Sequence, residues 1–333
     1  MSMSQKAERP LRLVALAAAI ALPVSAAAGD PPLALEAKIP LGTVAGRIDH
    51  MAYDATRRLL LVAELGNDSL GVVDVAAGRV RRRIAGLAEP QGVGYEPAGD
   101  IIYVANARDG SVRLFRAEDY AAAGRIELGG DADNVRIDAA HGRVLVGYGS
   151  GGLAAIDAAS RARTATIRLA AHPESFQLDE TGARAFVNVP QARTIEIVDL
   201  AQGRAAGTLP TEGYRANFPM ALDRDRHRLI VAFRSPPRLL ALATADGRVV
   251  GGADTCGDAD DVFVEAKRRR VYVSCGEGAV DVLDAADYRR LGRGATAPGA
   301  RTSLFVPELD RLFVAVRAAG AEPAAIWVLR PLP

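Results

Sequence analysis

One short pattern constrains this chain more than any other. Asp100–Phe115, DIIYVANARDGSVRLF, alternates apolar residues (Ile102, Val104), turns through Asp109-Gly110 and alternates again (Val112, Leu114). That is the signature of a β-hairpin. Looser versions recur along the chain. Each unit has an apolar anchor seven residues before an apolar triplet: Tyr53, Tyr95, Ile137, Leu178, Leu222, Val264 and Phe305, spaced 41 to 44 residues apart. This period of roughly 40–50 residues is that of a β-propeller blade. Within a unit, strand a carries the anchor, strand b is the triplet, and strand c often ends apolar-apolar-Asp, as in Val72-Val73-Asp74 and Val282-Leu283-Asp284. A Gly turn (Gly78, Gly203, Gly247) leads to a fourth run such as Val80–Ile84 or Val249–Gly252. Period-2 alternation is imperfect, as expected where both sheet faces are buried against neighbours.

The last unit ends after its third run, near Ala324–Leu329, and Leu33–Leu41 supplies the missing outer strand. The expectation is an all-β, seven-bladed propeller of four-stranded antiparallel blades, closed by its N-terminal strand. Closure leaves no open blade face. Residues 29–333 form this single domain. Before it, Lys6, Arg9 and Arg12 precede the apolar stretch Leu13–Leu22, then Pro23 and Ser25-Ala26-Ala27-Ala28. Residues 1–28 read as a cleaved secretory signal peptide, which implies a bacterial periplasmic location. The stretch is short for a membrane span, so no span is expected in the mature chain.

The chain holds 41 basic and 40 acidic residues, a net charge of +1. This argues against a nucleic-acid surface driven by bulk charge. Arg79, Arg81, Arg82 and Arg83 fall on an outer strand and read as a solvated edge that discourages sheet addition. Cys256 precedes strand a of the sixth unit and Cys275 ends its strand b; in an oxidising compartment they are expected to form a disulfide. There is no CxxC and no CxxCH motif for covalent haem. Trp327, in the last strand c, is expected to pack in the core.

In a propeller the connections into strand a gather at one channel mouth. Counting back from the anchors therefore builds a ring. Four residues before stand Asp49, Gln91, Asp133, Glu174, Phe218, Asp260 and Arg301; three before stand His50, Asn134 and Asp261 among others; slightly earlier come Arg47, Glu89, Asp131, His172, Arg215, Asn217 and Asp258. These short runs differ from blade to blade, which favours ligand recognition, although Asp, Asn, Ser and Pro also form turns on their own account. The ligand-binding set is Arg47, Asp49, His50, Gln91, Asp133, Asn134, His172, Glu174, Arg215, Asn217, Asp260, Asp261 and Arg301. Asp49, Asp133, Glu174 and Asp260 offer oxygen ligands for Ca²⁺ or another divalent ion, with His50 or His172 adding nitrogen. Arg47, Arg215 and Arg301, with Arg108, Arg234 and Arg317, could fork onto an anion or pair with ring carboxylates. Tyr148 and Phe218 could pack on a ligand ring. His141 and His227 belong to the opposite face and receive no role.

Tyr103-Val104-Ala105-Asn106 followed by Asp109-Gly110-Ser111-Val112, echoed by Leu61-Val62-Ala63 with Asn67-Asp68-Ser69 and by Tyr272-Val273-Ser274 with Gly276 and Gly278, resembles the YVTN-type seven-bladed propellers. The resemblance spans about Leu33 to Leu329. It implies an exported protein. The group is more distantly similar to the haem-carrying propeller of periplasmic nitrite reductase and to propeller lactonases, which bind ligands at one mouth of the channel. The implied functions are a monomeric binding or scaffold protein for a small molecule or periplasmic partner, a metal-assisted lactonase-like or esterase-like hydrolase using a ring carboxylate as base, or a carrier of a haem-like cofactor with His50 or His172 as axial ligand.

Overall fold

The computed structural model describes Met1 and residues 31–333. The proposed signal segment, 1–28, lies outside the described residues apart from Met1.

Seven four-stranded antiparallel sheets follow one another along the chain. The first runs Met51–Asp54, Leu59–Glu64, Ser69–Asp74 and Arg79–Ala85. The seventh is Ser303–Val306, Arg311–Val316 and Ala324–Pro331, completed by Leu33–Gly42. That pairing runs from Leu33 opposite Pro331 to Gly42 opposite Ala324. It hydrogen-bonds the start of the described chain to its end.

Burial explains the uneven alternation. Strand b of the first blade is buried at every position, because both faces meet neighbouring sheets. Its outermost strand, Arg79–Ala85, is mostly exposed. The apolar clusters lie between blades. Leu59, Leu61, Leu70 and Val72 meet Ile102, Val104 and Phe115 of the next blade. Ile39, Leu41, Phe313 and Ile326 close the ring against Leu60 and Val62. In the sixth blade Cys256 and Cys275 form a disulfide, with Cα atoms 5.8 Å apart.

One expectation changes. Arg83 is no free edge charge: its Nε and Nη2 donate to the buried Glu64 carboxylate at 2.6 and 2.9 Å. Trp327 is partly buried and packs against the cluster of Leu33, Tyr272 and Leu312, as expected, and the Lys38 ammonium sits 4.3 Å above its ring. Some inner strands are shorter than five residues, down to Phe176–Leu178. The chain just before Phe176 is irregular, and Pro173 has no N–H to give a ladder.

Candidate functional site at the channel mouth

The inner strands enter their sheets through bulges. Register shifts separate Pro90 from Val93, Ala132 from Val135, Asn217 from Met220 and Ala259 from Asp261. Consecutive residues of a regular strand point to opposite faces, whereas a bulge re-aims the extra residue. Asp133 and Asn134 therefore both line the mouth. Two residues before each ring position the backbone is left-handed in several blades: Glu89 (φ 53°), Asp131 (φ 29°), Ala216 (φ 59°), Asp258 (φ 60°) and Gly299 (φ 80°). Turn geometry thus accounts for the acidic residues at Glu89, Asp131 and Asp258, since Asp tolerates that region. It does not account for the side chains two residues later, which converge on the channel.

The mouth is a cavity of about 630 Å³ that gathers Arg47, Asp49, His50, Gln91, Asp133, Asn134, His172, Glu174, Asp260 and Arg301 from the predicted set. Three predicted residues fall elsewhere. Arg215 is exposed outside it. Asn217 is buried between blades, where its Nδ2 donates to Asn188 Oδ1 and the Thr194 carbonyl at 2.9 and 3.0 Å. Asp261 lies deeper in the channel and accepts the Ser303 N–H at 2.7 Å. The mouth also includes Asp131, Ser150, Gln191, Phe218 and Arg234. Of the two aromatic candidates, Phe218 is at the mouth; Tyr148 is outside it, its hydroxyl 3.4 Å from Thr166 Oγ1. Arg136, one position before an anchor, was not in the ring count. A charged residue between Val135 and Ile137 was the signal in the sequence. Its guanidinium donates to the Phe176 and Val135 carbonyls and to Ser175 Oγ below the mouth.

The charges divide into two groups. On one side the arginines are taken. Arg47 holds Asp49 at 2.6 Å. Arg301 holds Asp258 at 2.9 Å and Asp260 at 2.9 Å. Arg234 pairs with the same two carboxylates and stacks on Phe218, 3.9 Å from the ring centre. Arg108, outside the cavity, pairs with Asp68 and Glu89. On the other side, carboxylates face imidazoles at longer range. His50 Nε2 is 3.8 Å from Asp49 and 3.7 Å from Asp133. His172 Nε2 is 3.8 Å from Asp133, and its Nδ1 is 2.6 Å from the Gly149 carbonyl. A carbonyl only accepts, so Nδ1 carries the hydrogen.

Burial opposes charge throughout this second group. Glu174 is pushed up to about 8 by burial and by the charge of Asp133. Asp261 is pushed up to about 7 by burial, against the pull of His50. Asp49 is also raised, by burial. Burial alone would lower both histidines. The carboxylates outweigh it: His50 is raised by Asp49, Asp133 and Asp261, and His172 is raised to about 9 by Asp133, the Gly149 carbonyl and Asp131. Burial lowers Arg136.

The four metal candidates do not form a cage. Asp49 and Asp260 are committed to arginines, and no three His, Cys, Asp or Glu side chains among the described residues are placed to hold one metal ion. Both histidines present Nε2 to carboxylates. His141 and His227 lie away from the mouth, against Asp138 and Glu180.

No family model matches the chain, and no curated protein matches it significantly.

Proposed function

We propose that this protein is an exported, periplasmic propeller of the YVTN type that binds a small polar ligand at the mouth of its channel. One observation carries the reading: side chains from all seven blades, differing from blade to blade, converge on one polar cavity of about 630 Å³, the size of a small-molecule site. A repeat that served only to close its turns would place similar residues in each blade. The disulfide fits an oxidising compartment, and no helix among the described residues is long and apolar enough to cross a membrane.

Native mass spectrometry of protein recovered from a periplasm tests both parts. The expected mass begins at Gly29, with a non-covalent addition that unfolding releases and that the double variant His172→Ala/Glu174→Ala fails to retain. A chain that keeps residues 1–28 would contradict export. Identical ligand-free spectra for both proteins would count against the mouth.

The raised Glu174 carboxyl supports a second reading, hydrolysis with this residue as proton-transfer group. Turnover of simple lactones or esters that disappears in Glu174→Gln would favour it.

A further inference from the structure

The second group of charges is incomplete. Asp133 is 4 % exposed and Asn134 is 1 % exposed. Asp133 Oδ1, Asn134 Oδ1 and Asn134 Nδ2 form no hydrogen bond among the described residues. Buried polar atoms are ordinarily satisfied, and each that is not costs roughly 1–3 kcal/mol. The bulge at Ala132–Val135 aims both side chains into the mouth. These orphaned atoms line the mouth, where a bound group or water can supply the missing partners.

Their chemistry restricts the ligand. An ionised carboxylate only accepts hydrogen bonds, while the amide offers one acceptor and two donors. The mouth arginines are already bound to Asp49, Asp258 and Asp260, so an anion would have to break those pairs. Asp133 has no arginine partner among the described residues: it faces the imidazoles of His50 and His172, at 3.7 and 3.8 Å, and the Glu174 carboxyl, which burial and then Asp133 hold protonated up to about 8. The two orphaned acceptors, Asp133 Oδ1 and Asn134 Oδ1, call for a group with several N–H donors and no acceptor, which is what an ammonium offers.

We propose that the mouth takes the cationic end of its ligand, an organic ammonium group with a neighbouring oxygen, as in an amino alcohol or amino sugar. The ammonium donates to Asp133 Oδ1 and Asn134 Oδ1, the Glu174 carboxyl offers a further oxygen acceptor, and Asn134 Nδ2 donates to the adjacent oxygen. This assignment rests on the mouth being the binding site. A bare calcium ion fits less well, because it takes six to eight oxygens, and Asp49 and Asp260 are held by arginines.

The test is calorimetric titration of the mature protein with D-glucosamine and ethanolamine, beside D-glucose and ethylene glycol as uncharged twins, with calcium chloride and succinate as controls. At least one amine is expected to bind about tenfold or more tighter than its twin, and Asp133→Asn to weaken it by about tenfold, as a charge-assisted hydrogen bond implies. Asn134→Ala, in the same assay, should weaken the amine without touching the charge. An unchanged amine affinity in both variants overturns the proposal. So does equal binding of amines and twins, or no amine binding at millimolar concentration. Succinate binding that is lost in Arg301→Gln, or calcium binding lost in Asp133→Asn, would overturn the ammonium assignment while leaving the mouth as the binding site. A bound mass retained by wild-type protein in the native spectra would likewise separate that failure from a failure of the mouth.

Discussion

Glu174 gives the fold a pH dependence. Its carboxyl moves from an ordinary value of 4.5 to about 8, so between those values the folded protein holds a proton that the unfolded chain has lost. Stability then falls as pH rises. The contribution is full below 4.5 and gone above about 8. Asp261, raised to about 7, acts in the same direction, and His172, raised to about 9, extends the fall upward. The unfolding midpoint should therefore drop from about pH 5 to about pH 8, and Glu174→Gln, uncharged at every pH, should flatten that drop. Parallel profiles for the two proteins would contradict the assignment. Asp281 makes a separate prediction. It is fully buried and accepts the Cys256 N–H at 2.7 Å and Arg293 Nε at 2.6 Å. Asp281→Ala strands the buried Cys256 N–H, while Arg293 keeps Glu277 and solvent, and should cost about 2 kcal/mol in urea unfolding. At this scale the sequence was legible where offset and direction coincide, as at Asp49, Asp133, Glu174 and Asp260. It misled at Asn217, because counting residues does not reveal which way a side chain turns inside a bulge. Arg136 escaped for the related reason that it lies past the bulge, in the regular part of its strand.

The turn into each inner strand is the element that makes the mouth. Ala216 sits in the left-handed region with φ 59°, which strains a side chain with a Cβ by about 1 kcal/mol. Ala216→Gly should relieve more strain than it adds in chain entropy, raising stability by roughly 0.5 kcal/mol; a loss of stability would show that the methyl group's packing matters more. The disulfide fastens the same turn in the sixth blade. It closes a span of 19 residues, for which the loop-entropy account gives about 3 kcal/mol. The double variant Cys256→Ser/Cys275→Ser should lose about that much in urea unfolding. Sequence spacing placed these turns correctly but could not show the register shifts, which depend on pairing with strand b. The same limit applied to Arg83: it was read as an edge charge because nothing along the chain shows Glu64 beneath it, 19 residues away.

The ring as a whole depends on its closing strand. Leu33–Gly42 pairs with Ala324–Pro331, and Ile39 and Leu41 complete the apolar cluster against the first blade. A chain beginning at residue 43 would expose that cluster and leave Ala324–Pro331 as an unpaired edge, which invites association. Such a chain should unfold at a markedly lower temperature and elute from size exclusion as larger species; an unchanged midpoint and a monomeric peak would contradict closure by this strand. The architecture was the most legible part of the molecule, because the interval of 41 to 44 residues repeats through every blade and each buried strand b repeats its apolar triplet. The proposed site was least legible, since it lies in the positions where the blades differ.

The proposed binding site consists of those differing positions. The direct measurement is a thermal-shift screen of small polar metabolites against three proteins: wild type, the mouth variant Asp133→Asn/Asn134→Ala, and a control altered on the far-side pair, His227→Ala. Compounds that raise the midpoint of wild type and of the control, but not of the mouth variant, are the result predicted. Compounds that raise all three midpoints equally would place binding elsewhere and contradict the claim.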